Sequence, residues 1–241
     1  IVGAILYFES GRTPRPGVGA GAGERLAKAG RSEKLGRYPE AKEISTPDGF
    51  INTDGISIGE FVGARVVLLD FWTYSCINCQ RTMPYLRKWW ETYNDKGLVI
   101  IGVHSPEFEF EKREQNVAQA IKDFKLAYPI VQDNDFATWR AYNNRYWPAK
   151  YIIDKEGYVR YTHFGEGAYD ETEKVIQDLL KETGAKDVSK EINNPTYQVQ
   201  TKTPEIYLGS KRAVPNDYVT FEGNWNVMEE YSNPQKSAKL F

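Results

Sequence analysis

The sequence predicts an α/β sandwich with helices on both faces of a central sheet, and three observations carry that prediction. Two apolar runs, Val66-Val67-Leu68-Leu69 and Leu98-Val99-Ile100-Ile101-Gly102-Val103, read as strands buried on both sides. Segments with apolar residues at helical spacing follow them, so the order of elements is β-α-β-α-(α)-β-β-α. The two cysteines of the 241-residue chain, Cys76 and Cys79, stand where the first strand run gives way to its helix.

The elements follow in order. Residues 1–8 are apolar and uncharged, too few to span a bilayer, and are read either as the outer end of a membrane helix or as a small patch docking on the domain. Residues 9–47 read as a flexible tether, since glycine, proline and small residues dominate from 10 to 23. An Asp54-Gly55 turn between the short apolar stretches of 50–58 predicts an N-terminal β-hairpin. After the strand run, Gln80 to Trp90 carries apolar residues at helical spacing. After 98–103, residues 110–124 place Val117, Ile121 and Phe124 on one helical face, and 134–142 reads as a shorter helix. Tyr151-Ile152-Ile153-Asp154 is a strand, Lys155-Glu156-Gly157 a turn and Tyr158-Val159-Arg160-Tyr161 the return strand. A last amphipathic helix runs from about 170, with Val175, Ile176, Leu179 and Leu180 on one face, and stops near Gly184. A linker over 185–203 leads to 204–241, read as the start of a β-rich C-terminal part with strands in 217–221 and 225–231.

Composition narrows the function classes. With 41% apolar residues the chain buries one full domain and part of another. Its 31 basic against 33 acidic residues, scattered rather than clustered, argue against a nucleic-acid partner. Two cysteines leave no separate structural disulfide.

Cys76 and Cys79 lie three apart at a strand-to-helix junction, where the first helical N–H groups have no partner within the helix. Those groups and the helix dipole favour thiolate over thiol, so Cys76 is the expected nucleophile and Cys79, one helical turn on, the resolving thiol. A zinc knuckle needs two more ligands, and His104 and His163 form no paired motif; a zinc site completed by a carboxylate and an inert disulfide remain the alternatives. Asp70, in the buried strand beneath the dithiol, is expected to have a raised pKa and to take the Cys79 proton directly or through water; the other reading is a helix-capping aspartate.

The stretch 48–184 resembles a thioredoxin-fold domain, a three-layer α/β/α sandwich. Asp70-Phe71-Trp72 is similar to the Asp-Phe-Trp before the thioredoxin dithiol, Pro84 to the proline in its helix, and Pro148 in Trp147-Pro148-Ala149 to the cis-proline. Trp72-Thr73-Tyr74-Ser75-Cys76-Ile77-Asn78-Cys79, Gly102-Val103-His104-Ser105-Pro106-Glu107-Phe108 and His163-Phe164-Gly165-Glu166-Gly167 resemble the extracytoplasmic TlpA-like and DipZ-like proteins more closely. Ile77-Asn78 in place of Gly-Pro, and Ser75 in place of tryptophan, depart from cytosolic thioredoxin.

The resemblance implies an extracytoplasmic, membrane-anchored protein thiol-disulfide oxidoreductase with protein dithiol and disulfide clients. It implies a membrane electron-donor protein of CcdA type, and carbohydrate contact through the C-terminal part. No cofactor is expected beyond the redox-active disulfide Cys76–Cys79, and no metal. It places Pro148 beside the dithiol, with Trp72, Tyr74, Trp147, Gly165 and Glu166 rimming the client groove, where a cis Trp147-Pro148 bond would leave backbone groups for an extended client. Ile77-Asn78 offers the thiolate no cation, so a reducing potential is expected. His104 and His163 are read as local hydrogen-bonding residues. Two other functions compete. Thr73-x-x-Cys76 matches part of a thiol-peroxidase (peroxiredoxin) motif, although Leu69 stands where its proline belongs; and the two thiolates, with His104 as a candidate third ligand, suit Cu(I).

Overall fold

The structure is a computed structural model that describes residues 33–188, residue 194 and four two-residue strands between 219 and 240. Its centre is a six-stranded mixed sheet in the order β1-β4-β3-β2-β5-β6. The two middle strands, β2 (Val66–Trp72) and β3 (Leu98–His104), are buried at every position and run parallel, as their unbroken apolar sequences require. β4 (Ile130–Gln132) joins β3 in parallel, β1 (Gly49–Ile51) closes that edge antiparallel, and β5 (Ala149–Ile153) with β6 (Val159–Phe164) extends the other side antiparallel.

Strand period two sorts the core into two layers. Val66, Leu68, Trp72, Leu98, Ile100 and Ile152 face α1 (Ile77–Tyr93), α2 (Glu114–Asp123) and α4 (Tyr169–Glu182). Val67, Leu69, Phe71, Ile101, Val103 and Tyr151 face Trp139 of α3 (Ala137–Ala141), the adjoining Tyr142, and Ala41, Ile44, Phe50 and Phe61. Helices therefore cover both faces. Pro84 lies inside α1, and the turn that ends this helix hands the chain back to β3 through Gly97, whose φ of 108° suits glycine. Gly102 has a packing reason as well: a Cβ there would meet Ile130 Cδ1 at 2.5 Å and Trp72 Nε1 at 2.9 Å.

Several expectations are corrected. The N-terminal hairpin does not form, and only Gly49–Ile51 is a strand, paired with β4. Asn52 ends it at a φ of 64° and donates its side-chain amide to the Leu126 and Tyr128 carbonyls, while Thr53 Oγ1 and Gly55 close a local turn that cannot lead into a return strand. Over its described part the expected tether is docked: Val159 N–H donates to Pro39 O, Ala41 N–H to Gly157 O, and Lys34 reaches Asp154 and Glu156 at 2.7 and 2.8 Å. The helix expected over 110–124 divides, with a 3-10 turn at Glu109–Lys112 before α2. In the expected linker, Val188 and Asn194 are buried, the latter donating to Glu173 Oε2 at 2.7 Å.

Residues 195–241 cluster as a second unit. Described there are β7 (Val219–Thr220) paired with β10 (Lys239–Leu240), and β8 (Asn226–Val227) paired with β9 (Tyr231–Ser232). The readings of 1–8 as a membrane-helix end and of the C-terminal part as a carbohydrate contact fall outside the described residues. Among the described residues no helix is long and apolar enough to cross a membrane.

Candidate active site

The β2 strand ends at Trp72, and residues 73–76 turn into α1 with Cys76 as the N-cap. Cys76 Sγ accepts a hydrogen bond from the Cys79 N–H at 3.3 Å, the orphan donor expected at a helix start. Both cysteines are free thiols, Cys76 partly exposed and Cys79 only 2% exposed. The Cys79 thiol hydrogen bond, joined by the N–H groups of Cys79 and Asn78, holds Cys76 below the ordinary thiol pKa, while burial and the charge of Glu107 work against them. Burial, together with the hydrogen bond to and the charge on Cys76, pushes Cys79 well up. The two thiols are thus split, one ready to ionise and the other held protonated.

Beneath them lies Asp70, 2% exposed on the same sheet face. Burial pushes its carboxyl up to about 7, against the pull of Lys150. Lys150 is the residue directly opposite on β5, fully buried, with Nζ 3.9 Å from Asp70 Oδ1, and neither atom has a hydrogen-bond partner. Burial lowers the Lys150 pKa in turn.

The loop carrying Cys76 is held by a group that sequence reasoning did not single out. Glu111, fully buried, accepts from Ser75 Oγ at 2.5 Å, Ser75 N at 3.3 Å, Glu107 N at 2.6 Å and Phe108 N at 2.9 Å. Although burial opposes it, hydrogen bonds from Ser75, Thr73 and the Phe108 and Glu107 amides keep Glu111 below the usual carboxylate range. Tyr74 stacks on His104 with ring centroids 5.7 Å apart, and Thr73 Oγ1 lies 3.3 Å from His104 Nε2. Burial takes His104 down to about 4, so it is neutral at physiological pH and serves as packing.

On the opposite side the Trp147-Pro148 bond is cis, as the resemblance implied. Trp147 Nε1 donates to Ser105 O at 2.9 Å and its ring packs on Trp139 at 4.3 Å. Gly165 N–H donates to Pro148 O at 2.8 Å, tying the loop after β6 to the proline. Glu166 pairs with Arg81 of α1 at 3.3 Å, so this carboxylate is already engaged. Trp72 departs from expectation: at 1% exposure it is core rather than rim, because its place on β2 turns it inward, edge-on to His104. Exposed rings do flank the site. Phe108 stacks on Phe110, Phe110 approaches Tyr74 at 6.1 Å, and Tyr146 packs on Phe164 beside Trp147 and Gly165.

The two sites missing from the sequence reading left only a faint signal. Lys150 stands alone in an otherwise apolar strand, as Asp70 does in its own, and pairing them required the strand register. Glu111 looks like any solvated helix-start carboxylate. His163 is a local hydrogen-bonding residue as expected, its Nε2 3.3 Å from Glu166 O. Among the described residues, the acidic trio Asp154, Glu156 and Glu182 has metal-ligand spacing, but Lys34 and Arg160 already occupy it.

Residues 39–162 match the model of the AhpC/TSA family. The chain is 43% identical over 194 residues to Protein DipZ of Mycobacterium bovis, an alignment covering 77% of this chain but only 27% of that relative. It is 30% identical over 141 residues to Thiol-disulfide oxidoreductase YkuV of Bacillus subtilis, covering 58% of this chain and 94% of that protein. A solution structure of a thioredoxin-like protein in the oxidized form superposes with a TM-score of 0.55 at 27% identity, over 60% of this chain and 97% of the other. The chain therefore belongs to the AhpC/TSA family and, within it, to the thioredoxin-fold thiol-disulfide oxidoreductases.

Proposed function

We propose that the protein is an extracytoplasmic protein-disulfide reductase working through a mixed disulfide on Cys76. The observation that carries this reading is the split dithiol: a partly exposed Cys76 stabilised as thiolate at the start of α1, over a buried Cys79 and a buried Asp70. The Cys76 thiolate attacks one sulfur of a client disulfide; the client's other sulfur leaves with the bonding electrons and takes a proton from water. Cys79 then loses its proton to Asp70 and attacks Cys76 Sγ, forming the Cys76–Cys79 disulfide and releasing the second client thiolate. The client's extended segment lies along Trp147-Pro148, between the aromatic pairs Phe108–Phe110 and Tyr146–Phe164. Tyr74, Trp147, Gly165 and Glu166 border that groove.

The reducing direction is supported by what surrounds Cys76. Its stabilising partners are the Cys79 thiol and two backbone N–H groups, none of them a cation, and Glu107 opposes them; a thiolate stabilised less than in strong oxidants favours the reduced form less, so the disulfide resists reduction more. A potential below roughly −180 mV is expected on equilibration with glutathione, and a value near about −120 mV would reverse the direction. Because an extracytoplasmic compartment is oxidising, such a reductase needs an electron supply, and a membrane protein of CcdA type suits that role by family resemblance. Location and anchoring likewise rest on the resemblance, and labelling of Cys76 by a membrane-impermeant thiol reagent on intact cells tests them.

The chemistry is tested with two variants. Cys76→Ser abolishes reduction of insulin disulfides, and Cys79→Ser accumulates mixed disulfides whose client halves identify the partners. Full turnover by Cys76→Ser would remove the mechanism.

A further inference from the structure

Asp70 presents a difficulty that the mechanism leaves open. A carboxyl sealed beneath the dithiol takes the Cys79 proton, and that proton must reach water before the next turnover. The strand register supplies a route. Asp70 on β2 is directly opposite Lys150 on β5, and Lys150 is directly opposite His163 on β6. Residues directly opposite in antiparallel strands share a face and are near neighbours, so the three side chains form one row across the sheet on the dithiol side. The row runs from the buried Asp70 through the fully buried Lys150 to the half-buried His163.

Lys150 is otherwise hard to explain. Its ammonium has no hydrogen-bond partner, and its nearest counter-charge is 3.9 Å away, so it stabilises the fold poorly. The groups facing this row are Cys79 of α1, Tyr128 before β4, Glu166 of the loop after β6, Arg81 of α1, which pairs with Glu166, and Glu171 of α4, whose charge favours protonated His163. Burial lowers the pKa of both Lys150 and His163, and the Lys150 charge lowers His163 further, so both release protons more readily than exposed groups.

We propose that the row Asp70–Lys150–His163 is the proton outlet of the resolving step, with Lys150 as the relay whose charge also readies Asp70 and His163 as the solvent end. In the forward step the Cys79 S–H proton passes to the Asp70 carboxylate, and the freed electron pair on Cys79 forms the bond to Cys76 Sγ as the client sulfur departs as thiolate. The Lys150 ammonium gives a proton to His163 and takes the one on Asp70; His163 gives its proton to water, and the client thiolate takes one from water. No net charge is left in the core. This inference rests on the proposed dithiol mechanism.

The experiment follows the reduced protein reacting with Ellman's reagent by stopped flow, because attack by Cys76 and resolution by Cys79 each release one coloured thiolate. Lys150→Met is expected to move the pH midpoint of the second phase up by one unit or more, a slowing of about tenfold near neutrality, with the first phase changed less than about twofold. Lys150→Arg keeps the charge and brings the midpoint back toward that of the unaltered protein. His163→Gln, at a half-exposed position that tolerates the change, slows the second phase several-fold in dilute buffer, and added imidazole restores it. A second-phase midpoint unmoved by Lys150→Met, or a His163→Gln protein with unaltered resolution or without rescue, would overturn the proposal. Absence of two phases in the unaltered protein would instead remove the underlying mechanism, so the two failures are distinct.

Discussion

Replacing Asp70 by Asn tests whether the core holds an acid that prefers to be neutral. Burial raises the Asp70 pKa from 3.8 to about 7, with Lys150 pulling it down. An acid raised in the folded state binds its proton more tightly there than in the unfolded chain, so stability is greatest below the unfolded value and falls as pH rises through the window to about 7. A shift of roughly three units corresponds to at most about 4 kcal/mol. Asn is neutral throughout and close in shape, so Asp70→Asn removes that loss. Lys150, left without its counter-charge, is penalised when charged, and this too makes the variant gain as pH rises. The assay is urea unfolding followed by tryptophan fluorescence at points from about pH 4 to about pH 8, read as the difference in unfolding free energy between the two proteins. That difference is expected to move in favour of Asp70→Asn by about 2–4 kcal/mol across the range. A flat difference would show that Asp70 is ionised in the native state at all these pH values and would refute the reasoning. The same variant is expected to slow resolution of the mixed disulfide at neutral pH with formation nearly intact, whereas equal slowing of both steps would give Asp70 a structural role.

Other outcomes follow from the same geometry. Glu111→Gln loses a charged acceptor of four hydrogen bonds and is expected to cost about 2 kcal/mol at neutral pH in chemical denaturation. Because the folded pKa of Glu111 is depressed, that stabilisation is present above the unfolded value of about 4.3 and lost as pH falls through the folded one, so the gap between the proteins narrows in acid; a constant gap would contradict it. Gly102→Ala forces a Cβ against Ile130, Trp72 and Tyr128 and is expected to cost about 1–3 kcal/mol, checked by the urea midpoint, with an unchanged midpoint contradicting the close packing. Alkylation of the reduced protein is expected to begin at Cys76, read by peptide mass mapping, and modification of Cys79 first would invert the assigned roles.

Much of this protein was legible in its chain because the signals are local. The unbroken apolar runs of 66–69 and 98–103 could only be strands buried on both faces, and Cys76 at a strand-to-helix junction had unpaired N–H groups waiting for it whatever the tertiary contacts. The helical spacing of Val175, Ile176, Leu179 and Leu180 was equally self-contained, and α4 covers it. The dithiol could thus be picked out before any contact was known. What failed were inferences that treated a local pattern as complete. Asp54-Gly55 is a hairpin turn by composition, yet Asn52 finds carbonyls at 126 and 128 and turns the chain away first. Trp72 looks like a rim aromatic until the pleat of β2 points it into the core.

Only the tertiary structure decided the electrostatics of the site. Asp70 and Lys150 are eighty positions apart, and no spacing rule connects them; the antiparallel register of β2 and β5 sets them face to face, and that same register adds His163. Glu111 becomes the anchor of the Cys76 loop because the turn at Glu109–Lys112 carries it under Ser75. Local sequence determines which backbone groups lack partners and which faces are apolar, since those depend on neighbours within a turn or a strand. Which charges share a buried volume depends on how distant strands pair, and burial then turns ordinary side chains into an acid, a cation and a histidine with shifted proton affinities.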